Sequence, residues 1–445
     1  MAERFSKIGF VLSIIGAAIG LGNAWKFPYM VGSNGGSAFI LIYLFFAFAV
    51  GLSIFFAEMA MGKISRLDTV GAFKSLATKG ANSWKFAGVI MVTGLFIASF
   101  YTLIIGWVLK YVILSFGELP KDMASSETLF VNFTSNGIGE QILYFSIAFF
   151  AYFFILTKGV KSGIERINVY LIPALFILLL LMLGYSFGME GFDKAAKFLL
   201  VPDFSKIDQA AVLNALGLAF FTMCVGIGAI ATYSVSLDDK TNLFTSSLYV
   251  VALNIIVSVV IGLIVFTFVF EYGEQPSQGV GLAFISLPTL FAKLGAMGNV
   301  LSFTFFTALI FAGLTSAISM VEPLVFYLIN EFKIPRLGAI AIVGVCVYCL
   351  GTLCALSNIT EFKEALTFFG KGFFDVLDYL SSNIMLPLGG IVIAVFVGYA
   401  MKRGSLEELF LPYMGRAVFE IWYFLLRFVA PICILAIMIR QILGS

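Results

Sequence analysis

Gly16, Gly20 and Gly22 fall inside an apolar run that begins near Ile8, and Asn23, Lys26 and Pro28 follow in the stretch GAAIGLGNAWKFP. Glycine is a poor helix former, so an otherwise helical run is weakest there. A second apolar run carries a matching break, Phe220-Phe221-Thr222-Met223-Cys224-Val225-Gly226-Ile227-Gly228. A helix broken in lipid exposes N–H and C=O groups, which is tolerated only around a cavity. The freed carbonyls suit a hard cation that prefers oxygen, and the freed N–H groups suit an anionic group. Breaks in corresponding places of two halves point to a binding site at the bilayer midplane of a transporter. Glu58 and Glu322 are acids within apolar runs, and such acids are functional candidates; a structural role in a water network is the preferred reading of both.

The elements that must hold these residues are membrane helices. Of 445 residues, 61% are hydrophobic and 12% are charged, against roughly 25% charged in soluble domains. The bilayer must therefore be the solvent for most of the chain. The net charge of +2 gives no reason to expect nucleic acid. Apolar stretches long enough to span predict eleven helices, near 8–30, 37–62, 85–116, 141–158, 163–187, 211–235, 243–270, 296–330, 337–356, 373–400 and 417–441. The first reads as a resident helix and not a cleaved signal, being too long and too glycine-broken. Lys63, Arg66, Lys74, Lys79, Lys85, Lys158, Lys161, Arg166, Lys333, Arg336, Lys402 and Arg403 lie in loops on one side. The opposite loops hold Asp122, Glu127, Asp193, Glu271 and Glu274. The positive-inside rule then places the N-terminus in the cytoplasm and, with an odd number of spans, the C-terminus outside, in an inner (cytoplasmic) membrane.

The chain has no histidine, which removes the commonest zinc ligand and the usual general base. No nucleophile–base constellation stands out, so an enzyme is not expected. Cys224, Cys346, Cys349, Cys354 and Cys433 all lie in apolar runs, and no disulfide framework is expected. The C-x-x-C at Cys346 and Cys349 reads as two small buried residues.

Four ordered stretches resemble the neurotransmitter:sodium symporter family: GAAIGLGNAWKFPYMVGSNGGSAF (16–39), AFFTMCVGIGAIATY (219–233), FAGLTSAISMVEP (311–323) and DVLDYLSSNIMLPLGG (375–390), with Tyr101 and Trp107 in the third span. The spacing fits over nearly the whole chain, and eleven spans resemble its bacterial branch. The resemblance implies an all-α membrane fold in a single domain, 1–445. Two inverted repeats of five spans, about 8–187 and 208–400, would have broken first and sixth helices, followed by an extra helix at about 417–441.

The resemblance also implies a set of sites. A first sodium would be held by Ala18, Asn23, Thr222 and Asn254, completed by the carboxylate of the substrate. A second would sit on Gly16, Ile19, Ala312, Thr315 and Ser316. Taken singly, a membrane Ser or Thr back-bonds to its own helix and an Asn joins helices; it is the joint spacing that argues for cations. The substrate carboxylate would meet the N–H groups of Leu21 and Gly22 and the hydroxyl of Tyr101. Amine carriers of the family resemble this chain with an aspartate at Gly20, so glycine there favours an amino acid. The side-chain pocket would be lined by Ala17, Ile97, Phe221, Cys224, Ile227, Ser316 and Met320, with Phe221 as a lid. Its lack of charge favours a neutral, hydrophobic or aromatic substrate.

Lys26 and Asp378 resemble an outer gate pair, and Gly163 with Pro173 resembles a spacing that lets the fifth span unwind. The family's inner gate is incomplete: its aspartate aligns with Asn330, leaving Arg4 and Glu331 as a candidate pair. Chloride coupling is open, with Tyr43 and Ser258 beside Thr222 and Asn254 as its neighbours, and with Leu218 where a glutamine usually helps. The leading expectation is a sodium-coupled symporter of neutral L-amino acids working by alternating access. A proton-coupled or uncoupled carrier of the same fold is the alternative, and an ion channel a more distant one. The expected partners are a small amino acid and the lipid bilayer; the oligomeric state stays open.

Overall fold

The computed structural model of the chain describes residues 6–238, 241–274 and 281–443. Among them, nine helices are long and apolar enough to cross a bilayer: Ser37–Ser65, Ala81–Leu114, Ile138–Thr157, Val160–Ser186, Leu243–Glu271, Ala296–Phe332, Arg336–Asn358, Phe373–Ala400 and Arg416–Arg440. A tenth crossing is the pair Ile8–Ala18 and Gly22–Ser33, bent by 50°. The remaining one is also interrupted. Gln209–Thr222 stops, six residues run irregularly, and Ala229–Ser234 resumes. These are the eleven spans, with the first and sixth broken. The described residues also include a two-stranded hairpin, Thr367–Phe368 against Lys371–Gly372, ahead of span ten.

Local sequence explains both breaks. Ser6 caps the first helix by accepting the Gly9 N–H at 3.0 Å. The helix ends where Ile19 turns extended, at φ −83° and ψ 103°. In span six, Cys224, Gly226 and Gly228 have φ of 52°, 94° and 78°. Left-handed backbone is easy for glycine and strained for cysteine. A β-carbon on Gly226 would lie 2.6 Å from the Leu386 carbonyl oxygen, so glycine here also admits span ten.

The layering follows from burial. In its most apolar window, span three, Ala81–Leu114, is 78% buried, whereas spans four and five are 33% and 28% buried. Span three is therefore central, packed along span eight. Spans four and five carry bare Phe150, Phe154, Leu180 and Leu181 on their outer faces. An apolar surface of that extent belongs against lipid. Cys346 and Cys349 correct the sequence reading: both are exposed on span nine and not buried, an arrangement lipid tolerates for a weakly polar thiol. Arg4 lies outside the described residues.

Candidate functional site

The break in span one sets the chemistry of the centre. The Gly20 N–H, which would otherwise close a helical bond to the Gly16 carbonyl, donates to Asn23 Oδ1 at 3.1 Å. The Gly16 carbonyl thereby loses its intrahelical donor. One residue on, the Leu21 N–H donates to Tyr101 Oη at 2.7 Å. Backbone polarity from span one thus faces a hydroxyl from span three within the bundle.

Around this point Ala17, Gly22, Ile97, Tyr101, Phe221, Cys224, Ile227, Ser316 and Met320 line one cavity, together with Ala18, Gly20, Asn23 and Thr222. Its space of about 30 Å³ would hold a water or two, so an amino acid enters only if the walls part. Leu21 is the one expected substrate residue outside this lining; it lines a second cavity of about 170 Å³ beyond Phe221. Phe221 lines both, as do Gly22 and Tyr101. The Phe221 ring lies so close to Gly22 that a β-carbon there would come 2.6 Å from Cε1. Leu386 of span ten completes the inner wall. Sequence reasoning missed it, although it lies in one of the quoted stretches, directly before Pro387.

The candidate cation ligands form two clusters. In the first, Asn23 Nδ2 donates to Asn254 Oδ1 at 2.7 Å and to Ser258 Oγ at 2.8 Å. Tyr43 Oη is 3.1 Å from Thr222 Oγ1 and faces Ser258 as well. Ala18 shares a tight niche with Asn254. Asn254 Nδ2 is buried without a hydrogen-bond partner. Leu218 is buried elsewhere, beside a side cavity shared with Lys26 and Asn383.

In the second cluster, Thr315 Oγ1 donates to the Phe311 and Ala312 carbonyls at 2.9 and 3.1 Å, and Ser316 Oγ donates to the Ala17 carbonyl at 3.3 Å. Ile19 is buried at the break itself. Carbonyl, hydroxyl and carboxamide oxygens without a fixed negative charge suit a hard monovalent cation better than a divalent one.

Lys26 and Asp378 both line the second cavity, but no ion pair joins them among the described residues. Lys26 Nζ stands 3.9 Å over the centre of the Phe221 ring, a cation–π contact. Asp378 Oδ1 accepts from Ser382 Oγ at 2.7 Å. Lysine lacks the planar fork that would grip a carboxylate in two places, and the face of the Phe221 ring competes for it. Gly163 lies in a wide turn, Val160–Glu165, and Pro173 inside the helix that follows, Arg166–Ser186. Span five is continuous through both.

The two intramembrane acids have direct protein partners. Glu58 accepts the Gly226 N–H and faces the N–H groups of Gly228, Ile230 and Ala231, so span two supports the irregular part of span six. Glu322 is 1% exposed and holds Arg336 in two bonds of 2.9 and 2.8 Å. This pair, at the head of a vestibule of about 1140 Å³ that also touches Asn330 and Glu331, was not foreseen, because Arg336 reads as one more loop cation. Asp68 lines the same vestibule and caps the next helix by accepting the Gly71 N–H at 3.1 Å. Burial raises its carboxyl above the ordinary aspartate value.

Eleven spans, two of them broken around an oxygen-rich centre, define a membrane transporter. The chain belongs to the sodium:neurotransmitter symporter family, whose model matches residues 3–132 and 132–444. It is 35% identical to an uncharacterized sodium-dependent transporter of Bacillus subtilis, over 98% of this chain and 97% of that one. It is 26% identical to the sodium-dependent serotonin transporter of Drosophila melanogaster, over 98% of this chain and 76% of that one. Among solved structures, MhsT in complex with L-phenylalanine superposes with a TM-score of 0.89 at 33% identity, covering 99% of this chain and 100% of that one. The protein is a sodium-dependent symporter.

Proposed function

We propose that the transported substrate is a neutral, hydrophobic or aromatic L-amino acid, moved by alternating access. The observation that carries this reading is the division of the inner cavity. One end offers Gly22 and the Tyr101 hydroxyl, which the Leu21 N–H reaches from behind; most of the rest is apolar, Ala17, Ile97, Phe221, Ile227 and Met320, and no residue of the lining carries a charge. A carboxylate suits the first and an apolar side chain the second, whereas a charged side chain would be left unpaired. L-phenylalanine in the similar protein MhsT is consistent with that division.

In this reading Ala18, Asn23, Thr222 and Asn254 hold one sodium next to the substrate carboxylate. Gly16, Ile19, Ala312, Thr315 and Ser316 hold a second. Inward movement of net positive charge gains about 2.3 kcal/mol per charge per 100 mV. Phe221, with Lys26 and Asp378 beyond it, closes the outer side. Opening of span five between Gly163 and Pro173 releases the cation to the inner side. The moving unit is the pair of five-span repeats, about 8–187 and 208–400, with the N-terminus cytoplasmic and the C-terminus outside the inner membrane. Asn254, whose Oδ1 shares the Asn23 amide with Ser258 Oγ, keeps Nδ2 as an unpartnered buried donor, which favours an anion such as chloride at that edge.

Equilibrium binding of labelled L-phenylalanine to purified protein tests the substrate class. Sodium-dependent binding displaced by leucine, tryptophan and methionine, and not by glutamate or lysine, is the expected result. Displacement by lysine or by phenethylamine in preference to phenylalanine would overturn it.

A further inference from the structure

Asn168 lies in span five, five residues after Gly163 and five before Pro173, and is fully buried. Its carboxamide is tied to its own helix: Nδ2 donates to the Ile164 carbonyl at 2.9 Å and approaches Ser13 Oγ at 3.4 Å. A carbonyl acceptor requires the nitrogen on that side, so the orientation of the amide is determined by its partners. Oδ1 therefore points the other way, and it has no hydrogen-bond partner. A buried carboxamide oxygen left without a partner is costly and calls for a reason.

The reason lies in what Oδ1 faces. A β-carbon on Gly16 would sit 2.6 Å from Asn168 Oδ1 and 3.1 Å from Thr315 Cβ. The oxygen thus fills the place a side chain at position 16 would take, between two residues of the candidate second sodium site. The adjacent Gly16 carbonyl is the one whose helical donor is diverted to Asn23. Spans one, five and eight thus meet at one buried spot, where the Asn168 carboxamide oxygen lies beside Gly16 and Thr315, residues that carry a backbone carbonyl and a hydroxyl.

We propose that Asn168 Oδ1 is an oxygen donor to the second sodium, supplied by span five. The inference rests on the two-sodium reading above. It gives that cation a mechanical link to the inner gate. While span five is packed, Asn168 helps hold the ion; when the segment between Gly163 and Pro173 opens, Asn168 is drawn away with its helix and the ion loses a ligand. Release of the cation and opening of span five are then one event.

The test is the sodium dependence of binding, measured on purified full-length protein with labelled L-phenylalanine, beside melting temperatures in sodium and in potassium. Asn168→Leu keeps the branched outline and removes the oxygen. It should raise the sodium concentration for half-maximal binding about tenfold, lower the steepness of the titration and reduce the extra melting temperature that sodium confers. Amino-acid affinity at saturating sodium should be unchanged. Asn168→Asp, which keeps an oxygen at the same reach, should hold sodium at least as tightly as the natural residue. A purely structural amide would instead lower the melting temperature equally in both salts and leave the titration in place, and that result overturns the proposal. So does loss of sodium dependence in Asn168→Asp. If the natural protein itself binds equally in sodium and potassium, the parent reading fails instead.

Discussion

Gly20 carries the sharpest expectation, because two effects of substituting it can be separated. A β-carbon there would lie 2.6 Å from Tyr101 Oη and 2.9 Å from Ser316 Oγ. Any side chain must push the Tyr101 hydroxyl off the Leu21 N–H, a bond of 2.7 Å. A buried donor left unpaired costs about 1–3 kcal/mol. Gly20→Asn should therefore weaken binding of the amino acid by roughly 5- to 150-fold, at 1.36 kcal/mol per tenfold. Gly20→Asp has the same size but adds a negative charge beside the site proposed for the substrate carboxylate. Two like charges about 4 Å apart at an effective dielectric of about 20 repel by about 4 kcal/mol. The aspartate variant should therefore bind a further thousandfold or so more weakly than the asparagine variant. The assay is competition by unlabelled phenylalanine and by phenethylamine, which lacks the carboxylate, against a labelled ligand of each variant. The Asp/Asn ratio should be large for phenylalanine and should shrink or invert for phenethylamine. Equal affinity of the two variants for phenylalanine would refute the carboxylate placement, whatever the steric loss.

Three further outcomes are expected. Asn23→Ala and Thr222→Ala should each weaken sodium-dependent binding at least tenfold while the protein remains folded in detergent; an unchanged sodium titration in both would remove them from the first site. Chloride should increase sodium-dependent binding, and Ser258→Glu should make binding indifferent to chloride by supplying the negative charge; equal binding in chloride and gluconate for the natural protein would contradict this. Arg336→Ala leaves the 1%-exposed Glu322 carboxylate without its partner, a loss of about 3–5 kcal/mol. Its melting temperature should fall further than that of Glu322→Gln, which leaves a partly exposed arginine, and the reverse order would show that the pair is not held by burial of the acid.

Much of the architecture is legible in the sequence because the bilayer imposes it. The span predicted near 37–62 runs Ser37–Ser65, and the one near 373–400 runs Phe373–Ala400, since hydrocarbon thickness sets the length of an apolar run. The inner cavity is legible for a different reason: its residues come from short stretches in which glycine and hydroxyl positions are fixed relative to each helix break. What stays hidden is decided by side-chain geometry across elements. The break in span six is legible at 220–228, but the left-handed turn at Cys224, a residue other than glycine, is not. Lys26 and Asp378 have the right charges, but Phe221 and Ser382 take their contacts. Glu322 and Arg336 meet only because the chain reverses between spans eight and nine. Asn168 signals itself only as an amide in an apolar run, and its significance depends on which way its oxygen points.

Uptake of labelled L-phenylalanine into proteoliposomes under an inward sodium gradient, with potassium as the control, tests the central claim most directly. Accumulation above the external concentration in sodium, enhanced by an inside-negative potential and lost when the sodium gradient is collapsed, is the predicted result. Equal uptake in both salts, abolished by collapsing a pH gradient, would contradict it and make the proposed sodium ligands structural.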